Sequence, residues 1–383
     1  MKTKFMMGNE AIAMGALAAG VNVVSGYPGT PSTEVLETVA KNNKGDIYVE
    51  WSVNEKAAME LAAGAAYTGA RTMVTMKQVG LNVASDPLMS LAYLGVKGGM
   101  VVMVADDPGP ISSQTEQDTR TFAEFAKLPC FDPSSVQEAY EMIQDAFEYS
   151  EEYGTPVFFR PTTRVCHAYA SIEVKEEADH QVNQPEGFVK DPSRWVIFPR
   201  TTYLAHLRME ERNTQLKQVF SAYEKNQIIP AQEGANSKKG IASHGISLSY
   251  VLESLEALPQ RPSVLKVATP FPFPEQLAIA FLEGKEEVLC VEELDPVIEK
   301  ALTFVCGKYH LPVKIRGKLT GDVVNAGENT CDSVKESIAK FLGIELPKTG
   351  VDTSDMPQLP VRPPVLCAGC PHRASFYAVK QAM

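Results

Sequence analysis

The sequence has no uninterrupted apolar run of about 18 residues, which is the length that a membrane-spanning helix needs. Its first residues, Met1–Phe5, are basic, but Gly8-Asn9-Glu10 stands where a secretory signal would have an apolar core. Positive charge is also in short supply, because 36 lysines and arginines face 47 aspartates and glutamates, for a net charge of −11. Such a surface repels nucleic-acid phosphates and anionic lipids. We therefore expect a cytoplasmic protein with neither a membrane nor nucleic acid as its partner.

The seven cysteines are too scattered to form a disulfide framework. Their number is odd, and we expect most of them to be reduced thiols in the core. Cys367 and Cys370, with His372 close behind, resemble half of a metal site, whereas a zinc ribbon needs a second pair at a suitable spacing. We therefore predict no metal site in this chain alone. Cys367 and Cys370 stay weak candidates for ligands of a cluster that residues elsewhere complete.

Common phosphate-binding motifs are missing as well. Neither G-x-x-x-x-G-K-[ST] nor G-x-G-x-x-G occurs in the chain. Gly321-Asp322 does not continue into the Gly-Asp-Gly sequence of a magnesium–diphosphate loop. Simple nucleotide binding is therefore disfavoured.

Residues 1–172 carry alternating strand and helix patterns, which predict an α/β domain with a parallel sheet covered by helices on both faces. The ligand loops of such sheets lie beyond the carboxyl ends of the strands. Three unusual loops are predicted there: Gly26–Glu34, Lys77–Asn82 and Asp106–Arg120. The predicted strands cover residues 21–25, 46–51, 71–76, 99–105 and 155–160, and the predicted helices cover 9–19, 54–67, 122–128 and 136–150.

The rest of the chain divides into four segments. Residues 173–238 are charged and predict a connector with one or two helices. Residues 239–344 resume the alternation and predict a second, smaller α/β domain. Residues 345–364 are rich in proline and should form an extended linker. Residues 365–383 then predict the strand–turn–helix start of a third domain, so we expect a truncated or split protein whose remainder is absent or supplied by another chain.

Glu55 stands at the start of a predicted helix that is rich in alanine and glycine. One interpretation is a helix-start acid that the helix dipole stabilises. The other is a carboxylate that shares a proton with a cofactor nitrogen, because the small residues permit the close packing that would bury it.

The loop Gly26–Glu34 also admits two interpretations. It could be a strand–helix turn in which Ser32 or Thr33 caps the next helix. That does not explain Thr30, which lies in a proline-stiffened segment whose glycines let the backbone approach a ligand. Arg160 could likewise pair with acids at the surface or between domains, or contact a substrate.

Several of these segments belong to one longer pattern, which comprises Met7–Ala13, Gly26–Glu34, Asn54–Ala58, Met76–Asn82 and Ser112–Asp118. Together they resemble the alpha subunit of the indolepyruvate type of thiamine-diphosphate-dependent 2-oxoacid:ferredoxin oxidoreductases. Thr269–Pro272 and Val291–Asp295 resemble the second domain of that subunit, and Cys367–Arg373 resembles the opening of its diphosphate-binding domain. The resemblance covers nearly the whole chain except the connector.

The resemblance implies that residues 1–172 form a pyrimidine-binding domain and residues 239–344 a transketolase C-terminal-like domain. The implied cofactors are thiamine diphosphate and Mg²⁺, shared with the incomplete diphosphate-binding domain, and iron–sulfur clusters on missing or partner domains. The catalytic residues would be Glu55, which hydrogen-bonds the aminopyrimidine ring nitrogen, and Thr30, which faces the substrate carboxylate. Further cofactor contacts are implied for Tyr27, Pro28, Gly29, Gly80 and Asn82, and weaker substrate contacts for Lys77, Ser112, Ser113 and Arg160.

The implied reaction is oxidative decarboxylation of an aryl 2-oxoacid such as indolepyruvate with coenzyme A, which gives acyl-CoA, carbon dioxide and reduced ferredoxin. The implied partners are a beta subunit, a chain or domain that completes the diphosphate site, and ferredoxin. The chain would work in a hetero-oligomer and be inactive without these partners. Two alternatives stay open: an enzyme for pyruvate, 2-oxoglutarate or phenylglyoxylate, and a non-catalytic subunit that only binds partners.

Overall fold

The computed structural model describes residues 1–347, 354–360 and 366–383. It divides into two compact units, Met1–Glu345 and Leu346–Met383. The larger unit contains two lobes, which we call the first lobe, built on a six-stranded sheet, and the second lobe, built on a five-stranded sheet. The smaller unit starts where the sequence predicts the proline-rich linker. Part of that predicted linker, and residue 365 after it, lie outside the described residues.

The first lobe has strands and helices in alternation. Its strands are β1 (Lys2–Met7), β2 (Val23–Gly26), β3 (Tyr48–Trp51), β4 (Thr72–Lys77), β5 (Met100–Ala105), β6 (Cys130–Phe131), β7 (Val157–Phe159) and β8 (Tyr169–Val174). Its helices are α1 (Gly8–Ala18), α2 (Thr33–Asn42), α3 (Glu55–Ala66), α4 (Gln78–Leu94), α5 (Thr119–Ala126), α6 (Val136–Glu152) and α7 (Thr163–His167).

The main sheet of the first lobe has the strand order β3-β2-β4-β5-β7-β6, and every pairing in it is parallel. Helices α1, α2 and α6 pack on one face, and α3, α4 and α5 pack on the other. Neighbouring strand residues such as Met73 and Val74 therefore point into different apolar cores. This arrangement confirms the predicted α/β fold class.

Helix α4 overturns the prediction of a loop over Lys77–Asn82, because Lys77 ends β4 and the helix begins at the next residue. Gly80 and Pro87 lower the helix propensity of this segment. Its buried residues nevertheless repeat at helical spacing, and burying that face outweighs the weak local preference. They include Leu81, Ala84, Leu88 and Leu91.

Strands β1 and β8 form a separate antiparallel pair that the sequence did not predict. The predicted connector, residues 173–238, contains the end of β8, a 3₁₀ turn at Glu177–Asp179, the helix α8 (Pro199–Ser221) and the strand β9 (Gln227–Ile229). Because β9 pairs antiparallel with a strand of the second sheet, part of the predicted connector belongs to the second lobe.

The second lobe resumes the alternation. Its further strands are β10 (Lys239–His244), β11 (Ser263–Val267), β12 (Glu287–Val291) and β13 (Lys314–Arg316), in the sheet order β13-β12-β10-β11-β9. Its helices are α9 (Gly245–Glu256), α10 (Glu275–Leu282), α11 (Val297–Tyr309) and α12 (Cys331–Leu342).

The smaller unit contains the helix α13 (Pro371–Ala382), which includes most of the helix predicted from residue 374 onward. The helix follows the Cys367–Cys370 turn, and Cys370 Sγ lies 3.3 Å from His372 Nδ1. Throughout the described part of the chain, no group of three or more His, Cys, Asp or Glu residues is arranged to hold a metal ion. No helix in those residues is both long enough and apolar enough to cross a membrane.

A buried charge network joins the two lobes at Arg120, whose side chain is fully buried. Its guanidinium donates to both carboxylate oxygens of Asp118 in the first lobe and, at 3.1 Å, to Glu292 in the second. Arg120 Nη1 also lies 2.6 Å from His244 Nε2, so that ring nitrogen must accept the hydrogen bond. His244 Nδ1 then donates to Asp132 at 2.6 Å. Burial and Arg120 lower the pKa of His244, which is consistent with a neutral ring.

Replacing Arg120 with methionine should destabilise the protein by about 3–5 kcal/mol, because the buried carboxylates of Asp118 and Glu292 lose their counter-charge. Urea and thermal denaturation measure the change. Lys44→Met is the control, since it removes the exposed ion-pair partner of Glu177 and should have no measurable effect. An Arg120→Met protein as stable as the wild type would contradict this role.

Glu293 makes the stability of the folded protein depend on pH. Burial raises the pKa of Glu293 to about 7, although Oε1 accepts a hydrogen bond from Asn329 N at 2.8 Å. Because the folded protein holds this proton at pH values where the unfolded chain has released it, the contribution of Glu293 to stability falls as the pH rises from about 4.5 to about 7. Glu293→Gln keeps the acceptor without the charge.

The stability of Glu293→Gln relative to the wild type should therefore rise by roughly 3 kcal/mol between pH 4.5 and pH 8. Urea denaturation of both proteins across this range measures the difference. A difference that is independent of pH would show that Glu293 does not carry the proton.

Candidate functional site

Glu55 is the first residue of α3, and Asn54 caps that helix by accepting a hydrogen bond from Ala57 N at 2.9 Å. The residue is only 8% exposed. Among the residues that the structure describes, none donates a hydrogen bond to its carboxylate or forms an ion pair with it. Although the residue is largely buried, its carboxylate oxygens still reach solvent. They are thus open to a ligand that supplies a hydrogen-bond donor.

Gly80, in the first turn of α4, forms the wall against which Glu55 packs. A Cβ at residue 80 would lie 2.5 Å from Glu55 Oε1 and 2.8 Å from its Cδ. The carboxylate therefore occupies the space that any larger residue at this position would fill. The two helices α3 and α4 meet at their N-termini, so the unpaired carboxylate lies where both helix dipoles are positive.

The loop after β2 lies beside the start of α4. A Cβ on Gly29 would lie 3.2 Å from the side-chain stem of Lys77. Tyr27, Pro28 and Thr30 are exposed on this loop. They are thus available to a ligand or a partner, and the contact between Gly29 and Lys77 joins the loop to the helix that contains Gly80.

Ser32 stands at the N-cap position of α2, but its side chain does not cap the helix. Gly29 N donates to Thr33 Oγ1 at 2.9 Å, and Ser32 Oγ donates to Gly29 O at 2.9 Å. Neither hydroxyl accepts a hydrogen bond from the first turn of the helix. Both side chains instead hold the loop in its folded shape.

Asp107 holds the loop after β5 in its folded shape. Its Oδ2 accepts hydrogen bonds from the backbone nitrogens of Ile111, Ser112 and Ser113 at 2.9–3.1 Å. Burial alone would raise the pKa of Asp107, but these bonds and one from the Thr163 hydroxyl outweigh it and hold the pKa below its usual value. The carboxylate therefore stays charged and fixes the loop around Ser112 and Ser113.

Three side-chain contacts tie this third loop to the start of α4. Ser113 Oγ donates to Gln78 Oε1 at 3.3 Å, and Gln78 Nε2 donates to Thr115 O at 3.0 Å. Lys77 Nζ donates to Gln114 Oε1 at 3.3 Å. The loops after β2 and β5 thus both contact Lys77, and Gln78 is a site residue that the sequence analysis missed although it lies inside the Met76–Asn82 motif.

Asn82 lies one turn further along α4, where its Nδ2 donates to Gln117 Oε1 at 3.2 Å. It is exposed, as a ligand-binding side chain would be. Predicted site residues from the loops after β2 and β5 and from the start of α4 therefore converge at the carboxyl edge of the main sheet.

Arg160 is buried in the first lobe and does not lie among the exposed residues of the candidate site. The residue is fully buried, and its guanidinium donates to Asp106 at 2.6 Å and to Asp132 at 3.3 Å. Burial raises the pKa of Asp106 to about 6, against the opposing effect of Arg160. Arg160 therefore pairs with acids instead of facing a substrate, but both partners lie in the interior of the first lobe and not at the surface or on another domain.

The unpaired Glu55 carboxylate fits a ligand whose ring nitrogen can share a proton with it, as the aminopyrimidine ring of thiamine diphosphate can. Comparison with known proteins places the chain in a family that binds this cofactor. Residues 14–229 match the family described as pyruvate flavodoxin/ferredoxin oxidoreductase, thiamine diphosphate-binding. The chain therefore belongs to this family of thiamine-diphosphate-dependent 2-oxoacid oxidoreductases.

Within that family the chain is similar to the indolepyruvate oxidoreductase subunit IorA of Methanothermobacter thermautotrophicus, with 43% identity over 383 residues. The match covers 99% of this chain and 60% of that protein, so the chain spans about three fifths of the relative's length. The resemblance to the alpha subunit of the indolepyruvate type is thus confirmed.

Two solved structures share the fold. A 2-oxoglutarate:ferredoxin oxidoreductase from Magnetococcus marinus gives a TM-score of 0.71 at 17% identity, over 89% of this chain and 65% of that one. A split-gene transketolase gives 0.54 at 14% identity, over 88% of this chain and 97% of that one. These likenesses support the predicted pairing of a pyrimidine-binding fold with a transketolase C-terminal-like fold.

Gly80→Ala tests the packing at Glu55. The new Cβ should push the carboxylate towards solvent, and the melting temperature should change little because a flexible side chain moves and alanine favours the helix. A crystal structure of the variant should show Glu55 clearly more exposed than 8%. Gly64→Ala on α3, where a Cβ meets nothing within 4 Å, is the control and should leave Glu55 in place. An unmoved carboxylate in the Gly80→Ala protein would contradict the tight fit.

Proposed function

We propose that this chain provides the pyrimidine-binding side of an active site that oxidatively decarboxylates aryl 2-oxoacids such as indolepyruvate. The products would be acyl-CoA, carbon dioxide and reduced ferredoxin. The 43% identity to an indolepyruvate oxidoreductase subunit, over nearly the whole chain, supports this choice of substrate class. The observation that carries the proposal is the Glu55 carboxylate, which has no protein partner among the described residues although the residue is only 8% exposed.

Thiamine diphosphate, when bound, supplies a carbon nucleophile for the attack on the 2-oxoacid. The task of Glu55 is to hold a proton at the pyrimidine ring nitrogen. Low water content strengthens such proton sharing, and the packing of Glu55 against Gly80 excludes water from one side of the carboxylate. Gly80 and Asn82 on α4, with Tyr27, Pro28 and Gly29 on the loop after β2, would form the protein wall around the ring.

The substrate end of the site would lie at Thr30, with Lys77, Ser112 and Ser113 nearby on the adjoining elements. The Thr30 hydroxyl is a hydrogen-bond donor on an exposed loop, and the Lys77 ammonium is a cation on the neighbouring strand end. Both suit the carboxylate that every 2-oxoacid carries. These groups do not distinguish an aryl side chain from a small one, so the choice among 2-oxoacids rests on the relatives.

The proposal requires further polypeptide. The diphosphate and its Mg²⁺ would be held by a diphosphate-binding domain, and electrons would pass through iron–sulfur clusters on other domains to ferredoxin. A beta subunit would complete the hetero-oligomer. Comparing the rates with indolepyruvate, phenylpyruvate, pyruvate and 2-oxoglutarate in that assembly would decide the substrate class.

Glu55→Gln tests the central role, because it keeps the size of the side chain and removes its capacity to hold a proton. In the assembled enzyme, ferredoxin reduction with indolepyruvate should fall by roughly 10²-fold or more. Glu60→Gln is the matched control on the same helix, since Glu60 is exposed, and it should keep wild-type turnover. Wild-type turnover by Glu55→Gln would rule out the role, and failure of the wild-type assembly to bind thiamine diphosphate would rule out the proposed function.

A further inference from the structure

The segment Gly8-Asn9-Glu10 belongs to the motif that begins the chain, and the proposed chemistry assigns it no task. Two of its residues have structural explanations. A Cβ on Gly8 would lie 1.9 Å from Val165 O, so only glycine lets α1 begin there. Glu10 Oε2 accepts a hydrogen bond from Met7 N at 2.8 Å and closes the first turn of the helix.

Asn9 is different, because its side chain reaches across to the loop after β2. It is fully buried, and its Nδ2 donates to Pro31 O at 2.7 Å and to Glu34 Oε2 at 2.8 Å. Two acceptors on one side of the amide fix its orientation, since the flipped amide would place an oxygen against two oxygens. Asn9 Oδ1 is buried and has no partner in the described residues. Half of this amide is thus left unsatisfied while the other half holds the loop.

The hydrogen bond from Asn9 reaches Pro31, which is the residue next to Thr30. Within the described chain, the other hydrogen bonds to the backbone of residues 27–31 come from Ser32 and Thr33, which are part of the same turn. Asn9 alone brings a hydrogen bond to this stretch from another element. Among the described residues, no other hydrogen bond to this backbone fixes the position of the turn relative to α1. The position of Thr30 depends on the same hydrogen bond.

We propose that Asn9 is a positioning residue that sets the place of Thr30 for the 2-oxoacid carboxylate. The inference rests on the proposed function, because Thr30 matters only if it meets a substrate. Asn9 touches neither substrate nor cofactor. It acts through Pro31 by holding the turn in one position, which spares the substrate the entropy of ordering it.

Hydrogen–deuterium exchange of the full chain tests the anchor without any turnover. In Asn9→Ala, exchange in residues 27–33 should quicken by about tenfold, which is the value of roughly one buried hydrogen bond, while β4 and β5 keep their protection. Asn9→Asp conserves the volume and turns a carboxylate towards two acceptors, so it should loosen the same segment. The control is Asn226→Ala, because Asn226 is also buried and donates two hydrogen bonds, but it lies next to the second lobe.

A double-mutant cycle in the assembled enzyme tests the link to Thr30. Asn9→Ala should lower kcat/KM for the 2-oxoacid by about tenfold in the wild-type background and by much less in the Thr30→Ala background. Unchanged exchange in residues 27–33 would overturn the proposal, as would equal losses in both backgrounds, which would mean a merely structural role. Absence of 2-oxoacid turnover in the wild-type assembly would be a failure of the proposed function, visible before any Asn9 variant is made, and the exchange experiment would still decide whether Asn9 holds the turn.

Discussion

The proposed active site depends on one contact, the packing of the Glu55 carboxylate against the backbone of α4 at Gly80. Glu55 is 8% exposed as a residue, and its carboxylate has no hydrogen-bonding partner within the described chain. The carboxylate is therefore free to accept a hydrogen bond from a ligand. Only glycine fits at residue 80 while the side chain of Glu55 keeps this position, because a Cβ there would lie 2.5 Å from Glu55 Oε1.

The rest of the larger unit holds this contact in place. Glu55 and Gly80 lie in the first turns of two helices whose buried faces share one apolar core with β4 and β5. The loop after β5 is held from two directions: Glu116 Oε1 accepts hydrogen bonds from Gly109 N in its own loop and from Gly327 N in the second lobe. The buried Arg120 network joins the lobes behind it. The second lobe thus supports a site loop of the first, which explains why the two lobes form one compact unit.

Much of this fold could be predicted from the sequence, because the strands of the main sheet are short apolar runs between turn residues. The burial of Glu55 also followed from local sequence, since Ala58, Ala62 and Ala63 allow close helix packing. The start of α4 could not be predicted from local sequence, because Gly80 disfavours a helix. The reason for a glycine at this position is its contact with Glu55, which lies 25 residues away in the sequence. Arg160 shows the same limit, since only the folded chain reveals the two aspartates that surround it.

The most direct test is a crystal structure of the assembled enzyme with thiamine diphosphate bound. The proposed role of Glu55 requires one of its carboxylate oxygens to lie within hydrogen-bond distance, about 2.6–3.2 Å, of the pyrimidine ring nitrogen, with Gly80 still packed against the side chain. A structure that places the cofactor elsewhere, or leaves the Glu55 carboxylate facing water, would contradict it.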